Sequence, residues 1–256
     1  MRKTGLYLVL ILGLCIALFM YFGRQVAFFD PLDEGSALVA SSRYPGVFWT
    51  LNDSGGDPVV FAINDRRELI AQMWVSGAEN TDWESISIDD SGHLLVMDSG
   101  NNGNERRDLC VYRFAEPDVL ALSDTTTASG DGDRLDPAPF DIMMARNAER
   151  FEFRYPEQHA FPDDEVMNFD SEASFYHPGD EAHPGQLYLL TKHRSDTRTV
   201  LYAFPELVSG HQLDLIKIDA FDVGGDDDWF GGRVTGADLH ADSARLAVLT
   251  YHRIFV

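Results

Sequence analysis

Four carboxylates stand at or near the openings of four segments that read alike: Glu34, Glu84, Glu172 and Asp238. If the fold brings such openings to a common axis, the carboxylates repel one another. That repulsion either raises their pKa values or is relieved by a bound cation. The oxygen-rich surroundings, including Asn52, Asn101 and Asn102, suit a hard divalent ion, calcium before magnesium. The alternative is structural: acids at these openings would accept backbone N–H groups of a neighbouring sheet and hold the architecture together.

The polar ends of the same segments supply a second set. Asn52 and Asp53 close the first, Asp98 with Asn101 and Asn102 the second, and Lys192 the third. Gly and Asn between Asp98 and Arg107 tolerate left-handed turns, which favours a folded loop at a channel mouth. Arg106 and Arg107, with Lys192 and Arg233 at related loops, could hold an anionic group such as a phosphoester beside a cation. Salt bridging to an acidic surface is the competing reading of those cations. Asp131-Gly132-Asp133 fails as a calcium loop because most of the pattern is missing. The chain also lacks a G-x-S-x-G elbow, a P-loop, an H-E-x-x-H and a dinucleotide fingerprint. His193 is notable only for lying at a segment's polar end.

Short strands must position these groups. After Pro31 no sustained 3.6-residue apolar period occurs, and short apolar runs alternate with Asp, Gly, Ser, Asn and Pro, which reads as all-β. Each segment runs in one order: polar or acidic opening, short strand, turn, apolar strand, polar ending. The clearest examples are Asp82–Asp98, Asp170–Lys192 and Thr235–Tyr251, with Glu34–Asp53 looser. A third strand follows three of them at Val59–Ile63, Leu109–Phe114 and Val200–Phe204. A meander of about four strands repeated at roughly fifty residues is the pattern of a β-propeller blade; a sandwich or irregular barrel is the alternative.

The expectation is therefore a propeller of four-stranded blades over residues 32–256, with a polar insertion at about 117–167. The last blade is cut short at Arg253-Ile254-Phe255-Val256; either the chain is a fragment or the ring closes in another way. Its 256 residues carry 20 Lys+Arg against 42 Asp+Glu, a formal charge of −22, which argues against nucleic acid as a partner. Cys15 and Cys110 are the whole cysteine complement, too few for a disulfide framework.

Residues 1–23 form a separate segment: Arg2 and Lys3, then a run of roughly eighteen uncharged residues, long enough to span a bilayer as a helix. No A-x-A-like site follows before Arg24, so an uncleaved signal-anchor is expected over a cleaved signal peptide. Residues 24–31 would be a linker. The basic N-terminus places the acidic domain outside the cytoplasm, that is, on the outer side of a bacterial inner membrane as a single-pass protein.

The motifs Glu34–Leu38, WTLNDSG at 49–55, Asn80–Glu84, MDSGNN at 97–102, Asp170–Ala173, Leu190–Lys192 and Val234–Asp238 with Thr250-Tyr251 resemble an uncharacterised family of bacterial exported β-propellers. That family is itself similar to phytase-like and esterase-like propellers and, more distantly, to calcium-dependent lactonase propellers. The resemblance covers roughly residues 32–256 and implies a propeller with a further Glu-bearing blade after Tyr251. It carries little about activity. Ala37, where the family tends to have Gly, departs from it.

From these readings, Glu34, Glu84, Glu172 and Asp238 are the expected calcium ligands. Asn52, Asp53, Asp98, Asn101, Asn102, Arg106 and Lys192 are the expected ligand-binding residues. The expected function is binding of a divalent cation or small anionic ligand at the channel mouth, with metal-assisted hydrolysis of a phosphoester or lactone as its enzymatic form. The rival is a non-catalytic propeller that docks another envelope protein.

Overall fold

The computed structural model describes residue 32 and residues 34–119, 142–224, 231–240 and 245–256. Glu34–Val256 forms one unit, and its strands make four antiparallel meanders with parallel additions at two outer edges. The first sheet contains β1 (Gly35–Ala40), β2 (Val47–Asn52), β3 (Val59–Asn64) and β4 (Leu69–Val75). The second contains β5 (Trp83–Ile88), β6 (His93–Asp98) and β7 (Cys110–Ala115). After β8 (Ile142–Ala145) the chain returns to it as β9 (Glu149–Arg154). The third contains β10 (Ala173–His177), β11 (Gln186–Leu190) and β12 (Arg198–Ala203). After β13 (Leu213–Asp214) its fourth strand is β14 (Ile216–Asp222). The fourth holds β15 (Val234–His240), β16 (Arg245–Thr250) and β17 (Ile254–Phe255).

The innermost strands lie side by side, β1 against β5, β5 against β10 and β10 against β15. This is a four-bladed β-propeller. The central strands read as continuous apolar runs where both of their faces are buried. VVFAIN in β3 and HLLVMD in β6 are buried almost throughout. Three apolar layers result. Trp49, Leu51, Trp83 and Val96 fill the first blade interface; Leu95, Phe153, Tyr155 and Tyr202 the second; Phe175, Leu190 and Val248 the third. Tight turns close the hairpins. In β5–β6, Asp89 Oδ1 accepts the N–H groups of Ser91 and His93 at 2.8 and 2.9 Å, and Gly92 takes φ 72°, a value that suits a residue without Cβ.

A strand-exchange device repeats between blades. After its third strand, blade 2 sends β8 back to pair in parallel with β4 at the outer edge of blade 1. Blade 3 likewise sends β13 to pair in parallel with β9 of blade 2. Each donation fills the hydrogen bonds of an edge that would otherwise be open. The stretch 117–167, which reads as a polar surface insertion, thus holds two strands that join neighbouring blades, β8 and β9. Their short apolar runs, IMM and FEF, are interrupted by charge, which hides them from a periodicity reading. The low-complexity run at 125–133 lies outside the described residues, as do residues 1–23. Among the described residues no helix is long and apolar enough to cross a membrane.

At one end of the first interface, the buried Glu116 accepts hydrogen bonds from Trp49 Nε1 at 2.8 Å, from Ser42 Oγ at 2.6 Å and from Ser41 Oγ. Replacing Glu116 by Ala would leave the indole N–H buried and unpaired, a cost of about 1–3 kcal/mol. Urea denaturation should show the lower midpoint, with Glu116→Gln less affected.

Candidate metal and ligand site

A shared irregularity builds the channel mouth. In blade 1 Gly35 faces Asn52 and Ala37 faces Leu51, leaving Ser36 as an extra residue. Blade 2 repeats this with Glu84 and blade 4 with Thr235. In blade 3 Ala173 faces Leu190 while Lys192 N donates to Asp170 O at 2.8 Å, which puts Glu172 at the same place. A β-bulge at the start of each inner strand re-aims its side chain, and here the bulge position carries Ser36, Glu84, Glu172 and Thr235. Two residues earlier stand Glu34, Asp82, Asp170 and Arg233.

The register changes the picture drawn from sequence. Glu84 and Glu172 are equivalent, as the repeats imply. Glu34 is instead the counterpart of Asp82 and is exposed, while Asp238 lies two residues further along β15 than Gly236 and is also exposed. In blades 1 and 4 the bulge position carries no acid, so the nearest acid in each segment, Glu34 or Asp238, stands in for it when the repeats are compared by eye.

The structure brings together a different trio. One oxygen from each of Asp53, Asp82 and Glu84 lies within 4.8 Å of the other two. Asp53 follows β2 of blade 1, and Asp82 and Glu84 flank Trp83 at the start of β5 in blade 2. Asn80 Nδ2 fixes the junction by donating to Asp53 O at 2.8 Å. Glu84 is 2 % exposed, and Ser36 Oγ donates to its Oε2 at 3.0 Å. Burial first, then the charges of Asp53, Asp170 and Asp82, push its carboxyl up to about 9. Asp82 is pushed up to about 6, again by burial and then by Asp53 and Asp170. Such crowding of hard carboxylate oxygens around the buried Glu84 is the electrostatic condition that a divalent cation relieves.

Cations occupy the opposite side. Lys192 Nζ is ion-paired to Glu172 and donates to Tyr251 Oη of blade 4 at 3.1 Å. Asp170, fully buried, accepts from Asn101 N at 2.8 Å and from Arg194 Nη2 at 3.0 Å. Burial raises its carboxyl despite these partners. Arg233 is 5 % exposed, and burial, then the Arg194 charge, lowers its pKa. The mouth is therefore polarised, acidic where blades 1 and 2 meet and basic from blade 3 to blade 4.

Several expected ligand-binding residues hold the fold together instead. Asp98 accepts Asp82 N at 3.0 Å and Arg106 Nη1 at 2.8 Å. Asn101 Nδ2 donates to Phe169 O at 2.9 Å, tying blade 2 to blade 3. Asn102 is exposed and Asn52 half-buried at the end of β2. His193 turns its Nδ1 to Asp196 at 2.7 Å. Asp82, Asp170, Arg194 and Tyr251 escaped the sequence reading. Asp82 and Asp170 could have been found from the repeated acid-x-Glu spacing, Asp82-Trp83-Glu84 and Asp170-Ser171-Glu172.

Gly100 is packed against this site: a Cβ there would meet Asp82 Oδ2 at 2.1 Å and Asp82 Cβ at 2.8 Å. Gly100→Ala should displace the Asp82 carboxylate and weaken calcium binding by tenfold or more while β6 stays folded. Calorimetric titration and circular dichroism on the same sample check both halves.

No protein-family model matches the chain, and no curated protein matches it in sequence. Among solved structures, an auxiliary nutrient binding protein from Bacteroides thetaiotaomicron is similar at 9% identity with a TM-score of 0.41. The match covers 86% of this chain but 36% of that one, so the chain spans about a third of its length. A likeness this weak says nothing about activity.

Proposed function

We propose that the protein binds a small ligand at its propeller mouth through a divalent cation, calcium by preference, held by Asp53, Asp82 and Glu84. The supporting observation is the convergence of three carboxylates from two blades, with the most buried, Glu84, taking its hydrogen bond from a neutral hydroxyl. Lys192 and Arg194 across the mouth would favour a ligand with an anionic group. A cation there supplies Lewis-acid polarisation, which suits phosphoester or lactone hydrolysis. In this reading residues 1–23 anchor the domain outside a bacterial inner membrane; that part rests on sequence alone.

A ligand that binds only the folded state raises the melting midpoint. Millimolar calcium should raise it, EDTA should reverse the rise, and Glu84→Gln should abolish it. An unchanged midpoint in the wild type would remove the cation. Turnover of a nitrophenyl phosphate diester or a γ-lactone that disappears in Glu84→Ala would support the hydrolase form.

One observation favours a second reading, a protein partner. Among the described residues, β4 and β9 receive a parallel strand from the next blade, whereas β14 ends its sheet and exposes Ile216 and Ile218 at 48% and 52%. Such an edge accepts an extended segment of another polypeptide by strand addition. An Ile218→Lys variant that loses a co-purifying partner without changing the calcium shift would support this reading.

A further inference from the structure

A small cavity lies beside β9 in the outer part of blade 2. It measures about 100 Å³ and is lined by Arg106, Arg107 and Arg154, with Phe153, Phe161 and Gln158 among its walls. β9, which contributes Phe153 and Arg154, is the fourth strand out from the axis. At roughly 4.8 Å per strand, that places it about 14 Å from β5.

Three guanidinium groups around one small cavity are unexpected in a chain with 42 acidic and 20 basic residues. Their immediate contacts do not account for all of them. Arg106 engages Asp98 through Nη1 and Asp108 through Nε, at 2.8 and 3.1 Å, yet its Nη2 is buried with no hydrogen-bond partner among the described residues. A donor shut away from water without an acceptor costs free energy. Arg107 lies over the Phe161 ring at 3.8 Å, which holds its head group, and Gln212 Nε2 donates to its backbone carbonyl at 3.3 Å. Arg154 is paired with Asp214 at the rim. Gln158 is fixed by donating to Asn104 O at 2.7 Å.

We infer that this cavity is a binding site for a small tetrahedral oxyanion, phosphate or a phosphate monoester. The volume equals that of about three waters in the liquid, enough for the oxyanion head. Planar guanidinium groups match phosphate oxygens in pairs. Phe153 and Leu109, both buried, give the cavity an apolar floor, and a hydrogen bond made against such a surface is stronger than one in open water. The inference uses none of the three carboxylates proposed to hold calcium, and a measurement in EDTA reads the cavity without the cation.

Calorimetric titration of the full chain in EDTA, at constant ionic strength, tests it. Inorganic phosphate should bind at one site per chain and chloride should not. Methyl phosphate distinguishes the two sources: equal binding points to a monoester and weaker binding to the free ion, and either supports the site. Arg107→Gln and Arg154→Gln should each weaken phosphate binding by tenfold or more, while Arg66→Gln, an exposed arginine elsewhere, leaves it unchanged. Circular dichroism confirms that the variants fold. Absence of phosphate binding, or binding unaffected by both Arg107→Gln and Arg154→Gln, would overturn the inference whether or not calcium binds the mouth.

Discussion

Calcium binding at pH 7.5 is expected to release close to one proton, from Glu84. Its carboxyl, pushed from an ordinary 4.5 up to about 9, keeps its proton at neutral pH until a cation displaces it. Asp82, at about 6, is already mostly ionised there and adds little. Metal ligands must be deprotonated to bind, so calcium affinity should rise about tenfold from pH 7 to 8 and flatten as pH passes about 9. Heats of binding measured in two buffers of different ionisation enthalpy give the proton count directly. The same groups fix the sign of the metal-free pH dependence. Both folded pKa values are raised, so their stabilising contribution is complete at acid pH. It is lost as pH rises, through about 6 for Asp82 and about 9 for Glu84. Glu84→Gln should melt higher than wild type in EDTA at pH 8, release no proton and show no calcium shift. A wild-type proton count of zero would mean that calcium does not reach Glu84.

The second large effect belongs to the ion pair across the mouth. Lys192 and Glu172 have side chains only 5% and 14% exposed, and Lys192 also bridges to Tyr251 of the next blade. Removing one member leaves the other charged and buried, a loss of about 3–5 kcal/mol. Lys192→Met should therefore lower the chemical-denaturation midpoint sharply. Converting both partners, Lys192→Met with Glu172→Gln, should recover most of the loss, because a neutral pair of similar volume carries no charge-burial penalty. A single variant within about 1 kcal/mol of wild type would show the pair to be hydrated in solution.

The blade meander was legible because its strands carry the strongest local signal. Apolar second strands such as LLVM at 94–97, closed by Asp-Ser-Gly turns, place β1, β2, β5, β6, β10, β11, β15 and β16 where the repeats put them. The donated strands β8 and β13 were not legible. They are four and two residues long, and their pairing is with a neighbouring blade, a tertiary choice that local pattern does not encode. At the mouth, Glu84 and Asp53 were recognisable as chemistry-bearing. Their meeting depends on which blade end faces which blade start, and the fold alone supplies that. Glu172 illustrates the limit: its type and spacing match Glu84, yet Lys192 occupies it. Asn101, whose amide looks like a ligand group in sequence, is consumed by Phe169 O and the Arg106 N–H, and the Asp98 carboxylate by the Asp82 N–H and the Arg106 guanidinium. The reading of blade-start acids as structural links thus describes Asp170, and crowding of like charge describes Glu84.

The most direct test is a crystal grown or soaked with calcium, or with manganese for its anomalous signal. The expected result is a single strong peak within about 2.3–2.6 Å of oxygens from Asp53, Asp82 and Glu84 for calcium. A mouth that stays empty at millimolar calcium while the Asp53, Asp82 and Glu84 carboxylates keep their present positions would contradict the proposed site.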